Sequence, residues 1–404
     1  MNFEAVYVHI PFCKQKCLYC DFPSYAGFTC ETMKAYVDAV VQEIRLRSFE
    51  ASKVSQCDTI FFGGGTPSIL SANEIKLIVD ELKSSGFWKN PREATIEVNP
   101  GTADLAKLKD LREMSFNRIS FGVQSLSNTE LKTIGRIHTS EEALNTINMA
   151  REAGFFRINA DFIYGLPGQT LKSLESTLEA ITQTNIEHLS AYSLILEEGT
   201  PLEKLVSSGK LVLPDEDVTA DMYDYVQSFL PSQGYKRYEV SNYARSGGES
   251  AHNMVYWAYH PYIGFGAAAC SFTGKVRLTA TSDVQKYIKN IEALRNSTAF
   301  GVDAKLQEKS LSSIYNNEEL YEVENLSQDE LIAEYMFMGL RTVKGANLTE
   351  GKARFGVNIL QEFSAELEPF FKDNLLAYDE ETNYLRLTEA GMAVGNLIFE
   401  AFIK

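Results

Sequence analysis

The chain has 404 residues, of which 45% are hydrophobic and 23% charged, and a formal net charge of −16. That length supports a large core and more than one domain. The acidity argues against a nucleic-acid partner, whose phosphates the chain would repel.

The opening MNFEAVYVHIPF has no basic segment ahead of a long apolar run. No window nears the roughly 18 apolar residues of a membrane span. The expectation is a cytoplasmic chain that does not cross a membrane. Six cysteines are too few for a disulfide scaffold in a chain of this size, so reduced thiols are expected.

Short β-rich runs alternate with amphipathic stretches through the first half. Strands are expected at 6–10, 59–63, 94–98, 118–123, 157–165 and 188–196. Helices are expected at 32–47, from the Ser71/Glu74 capping box to Gly86, and at 104–115, 140–154 and 171–185. Parallel neighbours need crossover helices, so six strand–helix units predict an α/β fold built as a partial (β/α)6 barrel. A doubly wound sheet is the rival. Polar residues and glycines fall at strand C-termini (His9, Gly63 to Thr66, Glu97, Gln124 and Asp161), where barrel enzymes assemble their sites.

Beyond 235 the pattern changes. Residues 236–300 are rich in aromatics and glycine, and 300–326 reads as a polar linker. The tail reads as helices at 327–343, 349–355 and 358–373, a hairpin, and a last helix at 389–403. That order predicts a winged-helix-like domain. The expected division is a core over 1–235, an extension over 236–300 and a C-terminal domain over 301–404. The last part carries 19 acidic against 9 basic residues. This disfavours DNA and suits a protein contact or a solvated face.

Cys13, Cys17 and Cys20 form C-x3-C-x2-C directly after the first strand. A structural zinc site needs four closed ligands, usually from paired C-x2-C units, and no second pair exists; His9 would have to complete it. The other reading is an iron–sulfur cluster with three thiolates and one iron left open. Cys30, Cys57 and Cys270 are spaced like isolated buried thiols, with Cys270, near GFGAAA, a site to test for haem.

The spacing resembles the signature of the radical SAM superfamily, in which S-adenosylmethionine (SAM) chelates the open iron and is cleaved to a radical. YVHIPFC, CLYCDF, FFGGGTPS, IEVNP, RISFGVQS, GRIHT, DFIYGLPGQT and YEVSNYA resemble the coproporphyrinogen-oxidase-like branch over nearly the whole chain. The resemblance implies a [4Fe–4S] cluster on Cys13, Cys17 and Cys20. It implies SAM held by Tyr7, Tyr19, Gly64, Gly65, Thr66, Glu97, Gln124, Arg136 and Asp161. Tyr19 would lie near the adenine, and the glycines would let the backbone approach the methionine amino end.

In the oxidases of this branch the motif runs on to C-x-C, and the last cysteine falls here at Phe22. The haem-chaperone relatives, called HemW-like, carry phenylalanine there. HNMVYW at 252–257 matches their H-N-x-x-Y-W motif. The resemblance thus implies haem contact by His252, Tyr256 and Trp257, with His260 a weaker candidate and His138 and His188 structural. The implied function is binding haem and passing it to a haem-requiring acceptor, possibly at a membrane, with dimerisation linked to cluster and SAM. The alternative is SAM-dependent decarboxylation of coproporphyrinogen III. A tRNA-modifying role is disfavoured by the charge and by the lack of a basic domain.

Overall fold

A computed structural model describes residues 3–53, 58–297 and 317–404. The six expected core strands are present: β1 (Ala5–Ile10), β2 (Thr59–Gly64), β3 (Glu93–Val98), β4 (Arg118–Gln124), β5 (Arg157–Tyr164) and β6 (His188–Ser193). They pair in sequence order and in parallel. The rival doubly wound sheet would reverse its strand order part-way, and this one does not. The run read as strand to 196 stops at Ser193.

The helices between them follow the apolar spacing. α1 (Cys30–Leu46), α2 (Ala72–Ser84), α3 (Leu105–Glu113), α4 (Ser140–Glu152) and α5 (Leu171–Gln183) connect successive strands. Each starts on a side-chain cap, at Thr29, Ser71, Asp104, Thr139 and Thr170. Each cap accepts a backbone N–H that the first turn leaves without an intrahelical partner.

Strand alternation sorts the side chains sharply. Val6, Val8, Ile60, Phe62, Ile96, Ile119, Phe121, Ile158 and Leu189 point toward the helices and form the main core. The intervening residues line the other, inner face: Tyr7 and His9; Thr59 and Phe61; Glu93, Thr95 and Glu97; Arg118 and Ser120; Asn159 and Asp161; His188 and Ser190. Closed β/α barrels fill that face with branched apolar residues. Here it is polar along almost its whole length.

The segment after 235 extends the same sheet from both ends. β7 (Lys236–Arg237) and β8 (Asn242–Ala244) add to β6, while β9 (Tyr262–Phe265) lies parallel to β1. β10 (Cys270–Phe272), β11 (Val276–Ala280) and β12 (Tyr321–Asn325) continue outward, antiparallel. The result is a twelve-stranded sheet among the described residues, with β12 and β7 at its edges. β12 corrects the linker expectation: its backbone groups pair with β11, so part of 300–326 is strand. The rest of that segment up to 316 lies outside the described residues, as does Cys57.

The tail builds a second core around Leu331, Met336, Leu340, Leu367, Leu385 and Ile398. Helix Gln328–Leu340 packs beside a three-stranded sheet of β13 (Ala346–Asn347), β15 (Tyr384–Leu387) and β14 (Leu376–Asp379). Helices and wing follow the expectation in outline. The helix expected at 358–373 is two pieces, Ile359–Glu362 and Ser364–Lys372, and the last helix is broken at Val394. Cys30 is exposed at the first turn of α1 and Cys270 half-buried, so neither is the inert buried thiol its isolation suggested.

Candidate functional site

The three cysteines sit on the loop after β1. A two-residue ladder pairs Phe12–Cys13 with Tyr25–Ala26, and Leu18 N–H donates to Ile134 O. These ties fix both ends and the middle of the loop. All three thiols are free and partly exposed. Each has a polar neighbour: Thr66 Oγ1 donates to Cys13 Sγ at 3.6 Å, Arg136 Nη1 to Cys17 Sγ at 3.3 Å, and Cys20 Sγ lies 3.7 Å from Ser24 Oγ. Burial pushes the Cys13 thiol up, with the Thr66 and Ser24 hydroxyls opposing.

The glycine run after β2 lies against this loop. A Cβ on Gly65 would stand 2.7 Å from Phe12 O and 3.0 Å from Cys13 Sγ, and one on Gly64 would stand 2.7 Å from the His9 ring. Gly64 also has φ +116°, a conformation L side chains rarely adopt. Only glycine permits this approach. Gly64 N–H donates to Glu97 Oε2 at 3.1 Å, and Thr66 Oγ1 accepts from Asn99 Nδ2 at 2.7 Å.

Arg136 is the hub on the far side. Its Nη2 donates to Asn99 Oδ1 at 2.8 Å and to Gly122 O at 2.5 Å. Gln124 stands beside it where the β4–β5 register shifts, with φ +66°. Tyr19 packs on Ile134, Ile163 and Leu166, and burial raises its hydroxyl pKa well above the usual range. Tyr7 Oη lies 2.9 Å from His9 Nδ1, and His9 Nε2 2.9 Å from Pro23 O. The Pro23 carbonyl can only accept, so Nε2 carries the proton and Tyr7 donates.

Glu97 and Asp161 face the inner side of the sheet together. Burial, and then the nearby Asp161 carboxylate, push the Glu97 carboxyl up to about 8. Asp161 is raised by burial against bonds from Ser190, Asn159 and Ser120. Asn159 Nδ2 donates to Asp161 Oδ1 at 2.8 Å and to Ser120 Oγ at 2.7 Å. Two carboxyl groups to which no described basic side chain is hydrogen-bonded suit a cationic ligand.

The expected SAM and cluster residues therefore cluster at the C-terminal ends of β1 to β5. Asn99, Gly122, Ser120 and Asn159 also belong there. The period-2 alternation of each strand could have found Ser120 and Asn159, and Asn99 is carried by the IEVNP motif.

The haem motif lies elsewhere. His252, on helix Ala251–Trp257, is 1% exposed at the opposite end of the strands. Its Nδ1 is 2.9 Å from Thr59 Oγ1 and its Nε2 2.8 Å from Tyr256 Oη. Glu93 accepts the N–H groups of Ala251 and His252. Burial holds the imidazole down, at about 3. Tyr256 and Trp257 are half-buried, Trp257 under the Arg341 guanidinium. In this conformation His252 plugs the bottom of the sheet and faces no surface. His138 Nε2 donates to Val123 O at 3.2 Å, and His188 bridges Asn159 and Tyr238. His260 lies between Glu4 and Glu350.

The description "Radical SAM superfamily" matches residues 7–181, and "HemN C-terminal domain" matches residues 326–394. The heme chaperone HemW of Lactococcus lactis subsp. lactis (strain IL1403) is 34% identical over 400 residues, covering 99% of this chain and 97% of that protein. The chain belongs to the radical SAM superfamily, in its HemN- and HemW-containing branch. The heme chaperone HemW of Bacillus subtilis (strain 168) is 35% identical over 404 residues, covering 99% of both chains. The structure of the radical SAM enzyme HemN, coproporphyrinogen III oxidase from Escherichia coli, aligns with a TM-score of 0.81. It covers 99% of this chain and 90% of that one at 24% identity, which establishes the shared fold.

A radical SAM family member carries a [4Fe–4S] cluster and SAM. The residues present fit them: three thiols on one loop, hydrogen-bond donors at two of the sulfurs, and a glycine cradle with no room for a Cβ. No three described His, Cys, Asp or Glu side chains converge on one metal ion. The thiolates of a four-iron cluster bind separate irons, so it needs no such convergence. Among the described residues no helix is long and apolar enough to cross a membrane.

Proposed function

We propose that this chain binds haem and delivers it to haem-requiring acceptor proteins, with the cluster and SAM site governing assembly or transfer. The observation that carries this is the end-to-end match to chaperones named HemW, joined to Phe22 where the oxidases place a further cysteine. Phe22 is 69% exposed beside the cysteine loop, as a non-ligating residue there can be.

When bound, a cluster with one open iron supplies a single electron to SAM. The chain's own residues set the conditions. Cys13, Cys17 and Cys20 would hold three irons, and Thr66 and Arg136 would stabilise the thiolate charge on Cys13 and Cys17. Glu97 and Asp161, with Gln124, would take the polar groups of SAM, and Tyr7 and Tyr19 would pack against its apolar parts.

For haem, Tyr256 and Trp257 remain the motif residues nearest solvent. Ligation by His252 would require it to leave Thr59 and Tyr256, so its haem role is coupled to opening of helix Ala251–Trp257. A cytoplasmic location, a homodimer and a membrane-associated acceptor complete the reading.

The test is anaerobic reconstitution with iron and sulfide counted, followed by haem retention and coproporphyrinogen decarboxylation on one preparation. About four irons per chain, retained haem and no decarboxylated product are expected. Turnover of coproporphyrinogen would replace this reading with the oxidase.

A further inference from the structure

The polar inner face contains a charge that makes no hydrogen bond to a described residue. Arg118, on β4, is 2% exposed. Its Nε has no hydrogen-bond partner, and no described residue accepts a hydrogen bond from its guanidinium. Arg157, opposite it on β5, also has an unpartnered Nε but is ion-paired through Nη2 with Glu93 at 3.0 Å. Among the other unpartnered buried polar atoms of the described residues, Thr95 Oγ1 lies directly beside Arg118 in the β3–β4 ladder. Buried polar groups are ordinarily satisfied, and a buried guanidinium with no acceptor is expensive. Two such groups side by side on one polar face mark a place where a ligand supplies the missing partners.

We propose that the inner face of the sheet is a binding site for a carboxylate, held by Arg118 with Thr95 beside it. The guanidinium fork matches a carboxylate's two oxygens. Thr95 can donate its hydroxyl hydrogen to the same group. A single guanidinium balances a monoanion rather than a dianion such as phosphate. Arg118 lies level with Thr95 and Arg157, below Glu97 and Asp161 and within electrostatic reach of both, so the site adjoins the expected SAM contacts on their side away from the cysteine loop.

The carboxylate has two sources. It is a propionate arm of haem, which rests on the proposed function, or it belongs to a separate small carboxylate. The full chain, reconstituted anaerobically, is titrated with 13C-labelled propionate by saturation-transfer NMR, and with haem and haem dimethyl ester by absorbance. Arg118→Met and Thr95→Val are compared with the unaltered protein, with near-UV circular dichroism confirming the fold. We expect Arg118→Met to weaken propionate binding about tenfold and Thr95→Val about threefold, in line with loss of a charged and a neutral hydrogen bond. If Arg118→Met does not fold, Thr95→Val and Arg118→Lys carry the comparison.

Weaker binding of the ester that depends on Arg118 identifies the haem arm. Equal binding of haem and ester, with propionate still dependent on Arg118, identifies a separate carboxylate. Propionate that fails to bind, or binds folded variants as well as the unaltered protein, overturns the site while leaving haem binding as its own result. Haem that fails to bind while propionate needs Arg118 removes the haem reading and keeps the site.

Discussion

Arg136 is expected to tune the cluster. Its Nη1 lies 3.3 Å from Cys17 Sγ, and the same guanidinium is pinned by Asn99 and Gly122, so it cannot swing away as a surface arginine would. Reducing the cluster adds negative charge that reaches the cysteine sulfurs, and a fixed cation beside one of them stabilises the reduced state. A hydrogen bond to a charged group contributes about 1.5–3 kcal/mol. If about half of that responds to an electron shared over the cube, the difference is about 0.8–1.5 kcal/mol, or roughly 35–65 mV for a one-electron couple. Arg136→Met should therefore lower the midpoint potential by that amount, and Arg136→Lys by less, because it keeps the charge. The assay is an EPR-monitored redox titration without SAM, on preparations matched for iron and sulfide. An Arg136→Met potential within about 15 mV of the unaltered protein, at full iron content, would refute the reasoning.

Three further outcomes follow from the same coordinates. Gly65→Ala should cut iron incorporation while leaving the far-UV spectrum unchanged, because its Cβ meets Phe12 O at 2.7 Å; full iron content would mean the loop yields. Arg47 is wholly buried and holds Glu43, Glu50 and Gly264 O, with Glu43 in turn bonded by Tyr287 and Tyr321. Arg47→Met should cost about 3–5 kcal/mol in urea unfolding, and a loss under about 1 would show that the network relaxes. His260, hydrogen-bonded to Glu4 and close to Glu350, has its pKa raised, chiefly by the Glu4 bond. A raised imidazole pKa gives stability that is full below the unfolded value near 6.5 and fades as pH climbs past the folded value. His260→Gln should thus lower the thermal midpoint at pH 6 and make little difference at pH 8.5; an equal deficit at both would assign the loss to packing.

Much of the architecture was legible from local pattern. The six core strands lie within a residue or so of expectation except the last, because each is an apolar-alternating run bounded by capped helices. The cysteine loop was legible because its chemistry is written in contiguous spacing, C-x3-C-x2-C. The strand Tyr321–Asn325 was not, since a polar segment becomes an edge strand only when a neighbour such as Val276–Ala280 offers its backbone. The break at Phe363 likewise has no proline or glycine to announce it.

The sequence alone determined the cysteine spacing, the glycine run and the family resemblance, which depend on residue type and short spacing. Only the tertiary structure decided what surrounds them. It brought Asn99, Gly122 and Arg136 together from three segments, and it turned His252 inward onto Thr59 and Tyr256. It also left Arg118 on a polar inner face without an acceptor. Which face a side chain occupies follows from strand register, but which groups meet there depends on how distant strands are placed beside one another, and no local pattern encodes that.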